Sequence, residues 1–246
     1  MSTAIEINGL TKVYGELTAV DHVSYNIQEG EIFGLLGPNG CGKTTTILML
    51  LGLIIPTEGT AIVNGADIVK DPIGARRSVG LLTDNVGLYE NLTAKQNLAF
   101  FAELSDLKAT EASARVDKLL ALVGLSEKQN VKVSTMSRGM RQRLGVAQSL
   151  VRDPKIMVLD EPTLGIDPEG TKELRGIIKM LSREQGKTII FTSHLLNEVN
   201  RLCDRVAIMK TGKVIAIGTI PELRKQINAA EGDEFEEVFL RYQGVV

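Results

Sequence analysis

Residues 37–44 read Gly-Pro-Asn-Gly-Cys-Gly-Lys-Thr and constrain this chain more than any other segment. They satisfy the P-loop pattern GxxxxGK(S/T), with an apolar run at 31–36 before them and an apolar stretch beginning at Ile47 after them. Glycines at Gly37, Gly40 and Gly42 let backbone amides close around phosphate oxygens in a turn that Cβ atoms would obstruct. A helix starting near Lys43 aims the positive end of its dipole at the same anion. The segment therefore calls for a strand–loop–helix unit of an α/β fold, with Pro38, Asn39 and Thr45 completing the cradle. Lys43 is expected to reach the β- and γ-phosphates of a nucleoside triphosphate, and the Thr44 hydroxyl to ligate magnesium. Cys41 is expected in the loop for its small size and its backbone amide rather than for redox chemistry.

The rest of the composition narrows the setting. With 246 residues, 43% of them hydrophobic, the chain can bury a sizeable core, as one subdivided domain or two closely packed ones. Lys and Arg number 28 against 30 Asp and Glu, so the basic excess of a protein gripping nucleic acid is absent. Two cysteines, Cys41 and Cys203, are too few for a disulfide framework and fit a reducing, cytoplasmic setting. The first ten residues alternate and contain no apolar signal-peptide core. The longest apolar stretch, 47–55, is interrupted by Gly52 and reaches about half the ~20 residues of a membrane-spanning helix. A membrane role is thus expected to require a partner subunit.

Periodicity divides the chain. Alternating or short apolar runs predict strands at 4–8, 23–27, 31–36, 59–64 and 78–82, the fourth closed by Asn64-Gly65. Helical spacing takes over from 84 to 152. There Thr93 and Gln96 form a capping box ahead of Leu98, Phe101 and Ala102. Further stripes are Ala112, Val116, Leu119, Leu120, Val123 and then Met140, Leu144, Ala147, Val151. Strands resume at 156–159 and 188–192, around a helix that Asp167-Pro168 starts and that carries Leu174, Ile177, Ile178 and Leu181. Runs at 206–209 and 214–217 flank Thr211-Gly212 as a closing hairpin. Beyond Asn228, Phe235, Val238, Phe239 and Tyr242 repeat at helical spacing and read as a terminal helix docked on its own domain. The expected division is a core with an antiparallel β region over 1–83 and 153–228, a helical subdomain over 84–152, and a short helical tail over 229–246.

Residues 156–161, Ile-Met-Val-Leu-Asp-Glu, bring two acids to the C-terminal end of a buried strand, where α/β sheets hold their ligands. Asp160 suits a magnesium ion held through water, and Glu161 suits polarisation of an attacking water. Between the P-loop and this pair stands Met-Ser-Arg-Gly-Met-Arg-Gln-Arg at 136–143. This segment resembles the signature motif of ATP-binding cassette (ABC) ATPases, whose common form is Leu-Ser-Gly-Gly-Gln. Pro162-Thr163, Leu-Gly-Ile-Asp at 164–167 and Thr192-Ser193-His194 resemble the family's strand-end turn, D-loop and switch histidine. Tyr14 resembles the aromatic that stacks on adenine. The motifs run from about residue 5 to 227 in the family order.

The resemblance implies a P-loop NTPase with a RecA-like core, an N-terminal antiparallel β subdomain and an inserted α-helical subdomain. It implies ATP held between the P-loop of one cassette and Ser137, Arg138, Gly139 and Met140 of a second, identical cassette. Ser137 would cap the following helix and leave an anion site at its N-terminus. Arg138 and Arg141 place positive charge in the first turn, against the dipole; Arg141 fits a solvated helix face equally well. Glu161, His194 and Lys43 are implied as the catalytic set. Where the family carries a glutamine that touches magnesium, this chain has Asp84, which keeps an oxygen ligand and adds a charge. That residue and the Ser-Arg-Gly-Met signature resemble the ABC-2 type branch of drug, sodium and polysaccharide exporters. The implied protein hydrolyses ATP with bound magnesium on the cytoplasmic face of a membrane, beside an integral permease subunit, with no nucleic acid involved. A soluble ABC ATPase serving assembly or signalling would carry the same motifs. His22 matches none of them and is expected at the surface.

Overall fold

The computed structural model describes residues 2–83, 85–105, 107–229 and 233–245. The chain opens with the antiparallel strands β1 (Thr3–Tyr14) and β2 (Leu17–Gln28), followed by β3 (Ile32–Leu36) and α1 (Lys43–Leu50). Then come β4 (Glu58–Val63), β5 (Ala66–Asp67), α2 (Pro72–Arg77) and β6 (Val79–Leu82). Both opening strands are longer than the alternation indicated. Register shifts between Ile7 and Leu10, around Gly9 at φ 60°, interrupt the period of two, so the pattern stops while the pairing continues. The continuation carries Tyr14 to the far end of the hairpin.

A helical block follows, with α3 (Ala94–Glu103), α4 (Ala109–Leu122) and α5 (Arg138–Ser149). The expected capping box forms: the Thr93 hydroxyl accepts from Gln96 N–H at 3.2 Å, and the Gln96 side chain accepts from Thr93 N–H at 2.9 Å. The stripe Ala112, Val116, Leu119, Leu120 and Val123 is buried, as are Leu98, Ala102, Leu144, Ala147 and Val151. Arg143 ties the block to the rest, donating to Val123 O and pairing with Glu173.

The chain then runs through β7 (Ile156–Asp160), α6 (Pro168–Arg183), β8 (Thr188–Thr192), α7 (Leu196–Leu202), β9 (Arg205–Lys210), β10 (Lys213–Gly218), α8 (Ile220–Gln226) and α9 (Phe235–Gln243). Pro168 fills the first helical position of α6, but the Asp167 carboxylate makes no cap hydrogen bond. Helix α9 docks on its own chain through buried Phe235 and Val238. The sequence pattern gives no sign of the helices α2, α7 and α8; they are only six, seven and seven residues long, too short for a periodicity to show.

Among the described residues the strands form two sheets. One is antiparallel in the order β2-β1-β4-β5; the other runs β10-β9-β3-β8-β7-β6, parallel except for the β9–β10 hairpin. All residues of β3 and β8 are buried, which is why they read as continuous apolar runs rather than alternating ones. One core lies between the parallel sheet and α3–α7 with α9, and a second fills the space between the two sheets and α1. Replacing Thr93 by Ala should lower unfolding free energy by about 1 kcal/mol, read from the urea midpoint at constant slope.

Candidate nucleotide and metal site

Strand β3 is paired on both sides, with Leu35 opposite Thr192 of β8 and Leu36 opposite Ile208 of β9. It ends at Leu36, and the chain turns at once into the glycine-rich loop. Gly37 has φ 151°, and a Cβ there would stand 2.5 Å from both Cys41 Sγ and Met209 O, so no larger residue fits. Lys43 folds back over the loop, its Nζ donating to Gly37 O at 2.7 Å and Pro38 O at 3.2 Å. Its charge thus lies against the loop that would receive a phosphate.

Cys41 is buried beneath the loop, with its carbonyl accepting from Gly212 N–H at 3.0 Å. Burial pushes its thiol pKa up, against the pull of Lys43.

Strand β7 delivers the two acids to the same edge. Asp160 lies opposite Thr192, whose hydroxyl donates to Asp160 Oδ1 and accepts from Glu161 N–H at 3.1 Å. Glu161 adopts a left-handed backbone at φ 49°, which costs a non-glycine residue about 1–3 kcal/mol. Two bonds from Glu161 N–H to Thr192, one to its hydroxyl and one to its carbonyl, hold that turn. His194 Nδ1 lies 2.9 Å from Glu161 Oε2, and the His194 backbone N–H donates to the same oxygen at 3.3 Å. The carboxylate is therefore oriented by the segment that follows β8.

These elements enclose a cleft of about 450 Å³. Tyr14, Leu17 and Ala19 of the antiparallel sheet form one wall, and Asp160 and Glu161 the other. Asn39, Gly40, Gly42, Lys43, Thr44 and Thr45 form the floor. Magnesium takes oxygen ligands, commonly one or two from protein with the rest from phosphate and water. The Thr44 hydroxyl and Asp160 carboxylate on one cleft fit that donor set.

Several residues singled out from the sequence lie elsewhere. Gly37, Pro38 and Cys41 support the loop without lining the cleft, and His194 meets it through Glu161. Asp84 lies outside the described residues. Ser137 caps α5 by accepting from Met140 N–H at 3.2 Å, and Gly139 is buried beside Ile166. Arg138 is exposed and its guanidinium rests on Gly165, whose Cβ would approach it to 2.9 Å. None of 137–140 joins the cleft. Arg141 is not a solvated bystander: it donates to Met136 O and Ser134 O and pairs with Glu90. His22 is exposed, as expected, beside Asp21. Thr192 is the site residue that sequence reasoning passed over as more than part of a motif; its signal was a hydroxyl closing an apolar strand.

A P-loop at the end of β3, facing two carboxylates at the end of β7 with β8 between them, defines a P-loop nucleotide-hydrolysing protein. The sequence matches the family described as ABC transporter over residues 20–164. It is 42% identical over 226 residues to the bacitracin transport ATP-binding protein BcrA of Bacillus licheniformis, covering 92% of this chain and 73% of that one. The fold is similar to a structure described as the ATP-binding subunit of an ABC transporter. That likeness has a TM-score of 0.86 at 28% identity and covers 98% of this chain and 100% of that one. It is also similar to the ATP-binding cassette MJ0796, described as dimeric in a post-hydrolysis state with ADP and Pi. There the TM-score is 0.78 at 27% identity, over 87% and 98% of the two chains. The chain belongs to the ABC transporter family as an ATP-binding, ATP-hydrolysing subunit.

Thr192→Val keeps the shape of the strand end and removes the hydroxyl shared by Asp160 and Glu161. Turnover should fall about ten- to a hundredfold with an unchanged circular dichroism spectrum, measured by phosphate release at saturating ATP.

Proposed function

We propose that this chain powers export through a separate integral membrane subunit, hydrolysing ATP at the interface between two cassettes. The observation that carries the hydrolytic part is the Glu161 carboxylate, held by His194 at the mouth of the Lys43–Thr44 cleft. In this reading Tyr14 receives the adenine, and Lys43 with the backbone amides of 39–45 receives the triphosphate. Thr44 and Asp160 would hold magnesium, and Asp84 is proposed as a further oxygen ligand from the resemblance alone. Bound magnesium neutralises charge on the β- and γ-phosphates. Glu161 takes a proton from the attacking water, and His194 orients both that carboxylate and the γ-phosphate.

The second half of the site is assigned to another copy of the chain. Ser137, Arg138, Gly139 and Met140 stand at the capped N-terminus of α5, away from the cleft of their own subunit. A helix N-terminus whose capping residue leaves free amides attracts an anion, and Arg138 adds charge. The dimeric state of the related cassette MJ0796 supports the pairing.

Transport rests on kinship with the bacitracin transport protein, which favours it over a soluble role in assembly or signalling. Among the described residues no helix is long and apolar enough to cross a membrane, so the path is assigned to a partner. A groove of about 450 Å³ between the 85–90 segment and Met136, Arg138 and Arg141 would receive a short cytoplasmic helix of that partner. The chain then sits on the cytoplasmic face of the membrane.

Glu161→Gln should bind ATP with near wild-type affinity, lose at least about a hundredfold in turnover, and accumulate as an ATP-bound dimer by light scattering. Wild-type turnover in that variant would remove Glu161 from its role, and a strictly monomeric ATP-bound form would remove the interface.

A further inference from the structure

The exit of β3 and the end of β9 meet beneath the P-loop. Leu36, opposite Ile208, is the last residue of β3 in the ladder, and the chain then passes through Gly37 to Pro38. Pro38 has no N–H with which to continue the pairing. The next carbonyl on β9, that of fully buried Met209, lies directly against the turn: a Cβ on Gly37 would stand 2.5 Å from it. The Met209 side chain reaches the other end of the loop, with its Cε 3.2 Å from where a Cβ on Gly42 would be. One residue of β9 therefore supports both the first and the last glycine of the P-loop.

One hydrogen for the Met209 carbonyl comes from the C-terminal helix. Gln243, in the last turn of α9, donates its Nε2 to Met209 O at 3.2 Å, and the neighbouring Lys210 Nζ donates back to the Gln243 carbonyl oxygen. A cation on a C-terminal carbonyl is also favoured by the helix dipole. The rest of α9 is anchored independently, by buried Phe235 and Val238 and by the Tyr242 hydroxyl, which donates to Leu223 O at 3.0 Å and lies 2.8 Å from Gln226 Oε1.

We propose that Gln243 is a positioning residue for the P-loop: it satisfies the Met209 carbonyl from outside the nucleotide site and so fixes the turn at Gly37. Without that donor the buried carbonyl loses a hydrogen bond, and it regains one only by admitting water or by shifting. Either response moves the wall against which Gly37 packs. The loop's grip on phosphate then weakens, while Glu161, Thr192 and His194, two or more strands away, keep their arrangement. The clamp rests on the reading of 37–44 as the triphosphate site.

The test uses Gln243→Glu, which keeps the size of the side chain and removes the N–H donor. Its Kd for ATP, by titration calorimetry on the full chain, should rise about three- to tenfold. Turnover at saturating ATP should stay within about twofold of wild type, which is a change in KM rather than kcat. Tyr242→Phe is the control for helix anchoring: it should lower the thermal midpoint and leave the Kd for ATP unchanged. Equal loss of ATP affinity in both variants, in step with their thermal midpoints, would make α9 a structural brace only and overturn the proposal. Lys43→Ala separates the two levels. If it weakens ATP binding while Gln243→Glu does not, the clamp alone is wrong; if Lys43→Ala binds ATP normally, the P-loop reading beneath it is wrong.

Discussion

Strand β8 runs between β3 and β7, and at its last residue a single line crosses the sheet: Leu35, Thr192 and Asp160 lie side by side. Two residues past Leu35 the phosphate loop begins, and one residue past Asp160 stands Glu161. The parallel register therefore sets the distance between phosphate cradle and carboxylates. It tolerates no slip. These strands are buried on both faces, and a shift of one residue would draw Asp160 into the core while turning the loop entrance out of line. Thr192 reinforces the register chemically, because its hydroxyl bonds both the Asp160 carboxylate and the Glu161 amide.

The cleft is nevertheless incomplete on this sheet alone. Its other wall comes from the antiparallel sheet through Tyr14, Leu17 and Ala19, and the two sheets share one hydrophobic core. The helical block is attached at the opposite side and carries Ser137 at a capped helix end that does not reach the cleft. Arg138, resting on Gly165, links that helix end to the segment following Glu161. Because of this separation, the proposed reaction draws Ser137 from a second subunit.

Much of the architecture was legible because local signals agreed with the tertiary answer. The capping box at Thr93 and Gln96 involves residues three apart, so it needs no distant partner. The buried strands β3, β7 and β8 read as apolar runs, and Phe235 and Val238 marked the docked face of α9. What escaped notice had no local signature. The extension of β1 past Gly9 depends on irregular pairing with β2, and α2, α7 and α8 span too few turns for a periodicity to reveal them. Arg141 was ambiguous because its acceptors, Met136 O and Ser134 O, are backbone atoms that any sequence offers.

The sequence by itself determined the chemistry available: a glycine-rich phosphate loop with Lys43 and Thr44, two acids ending an apolar strand, and a serine-headed helix. Those follow from residue types at short spacing, where the backbone leaves few alternatives. Only the tertiary structure decided which groups share a cleft and which stand apart. It set Thr192 between Asp160 and Glu161, turned His194 onto Glu161, folded Lys43 over Gly37, and brought Gln243 under Met209 from 34 residues away. Such contacts are made across strand registers and helix docking, and these depend on the packing of the whole core rather than on any one segment.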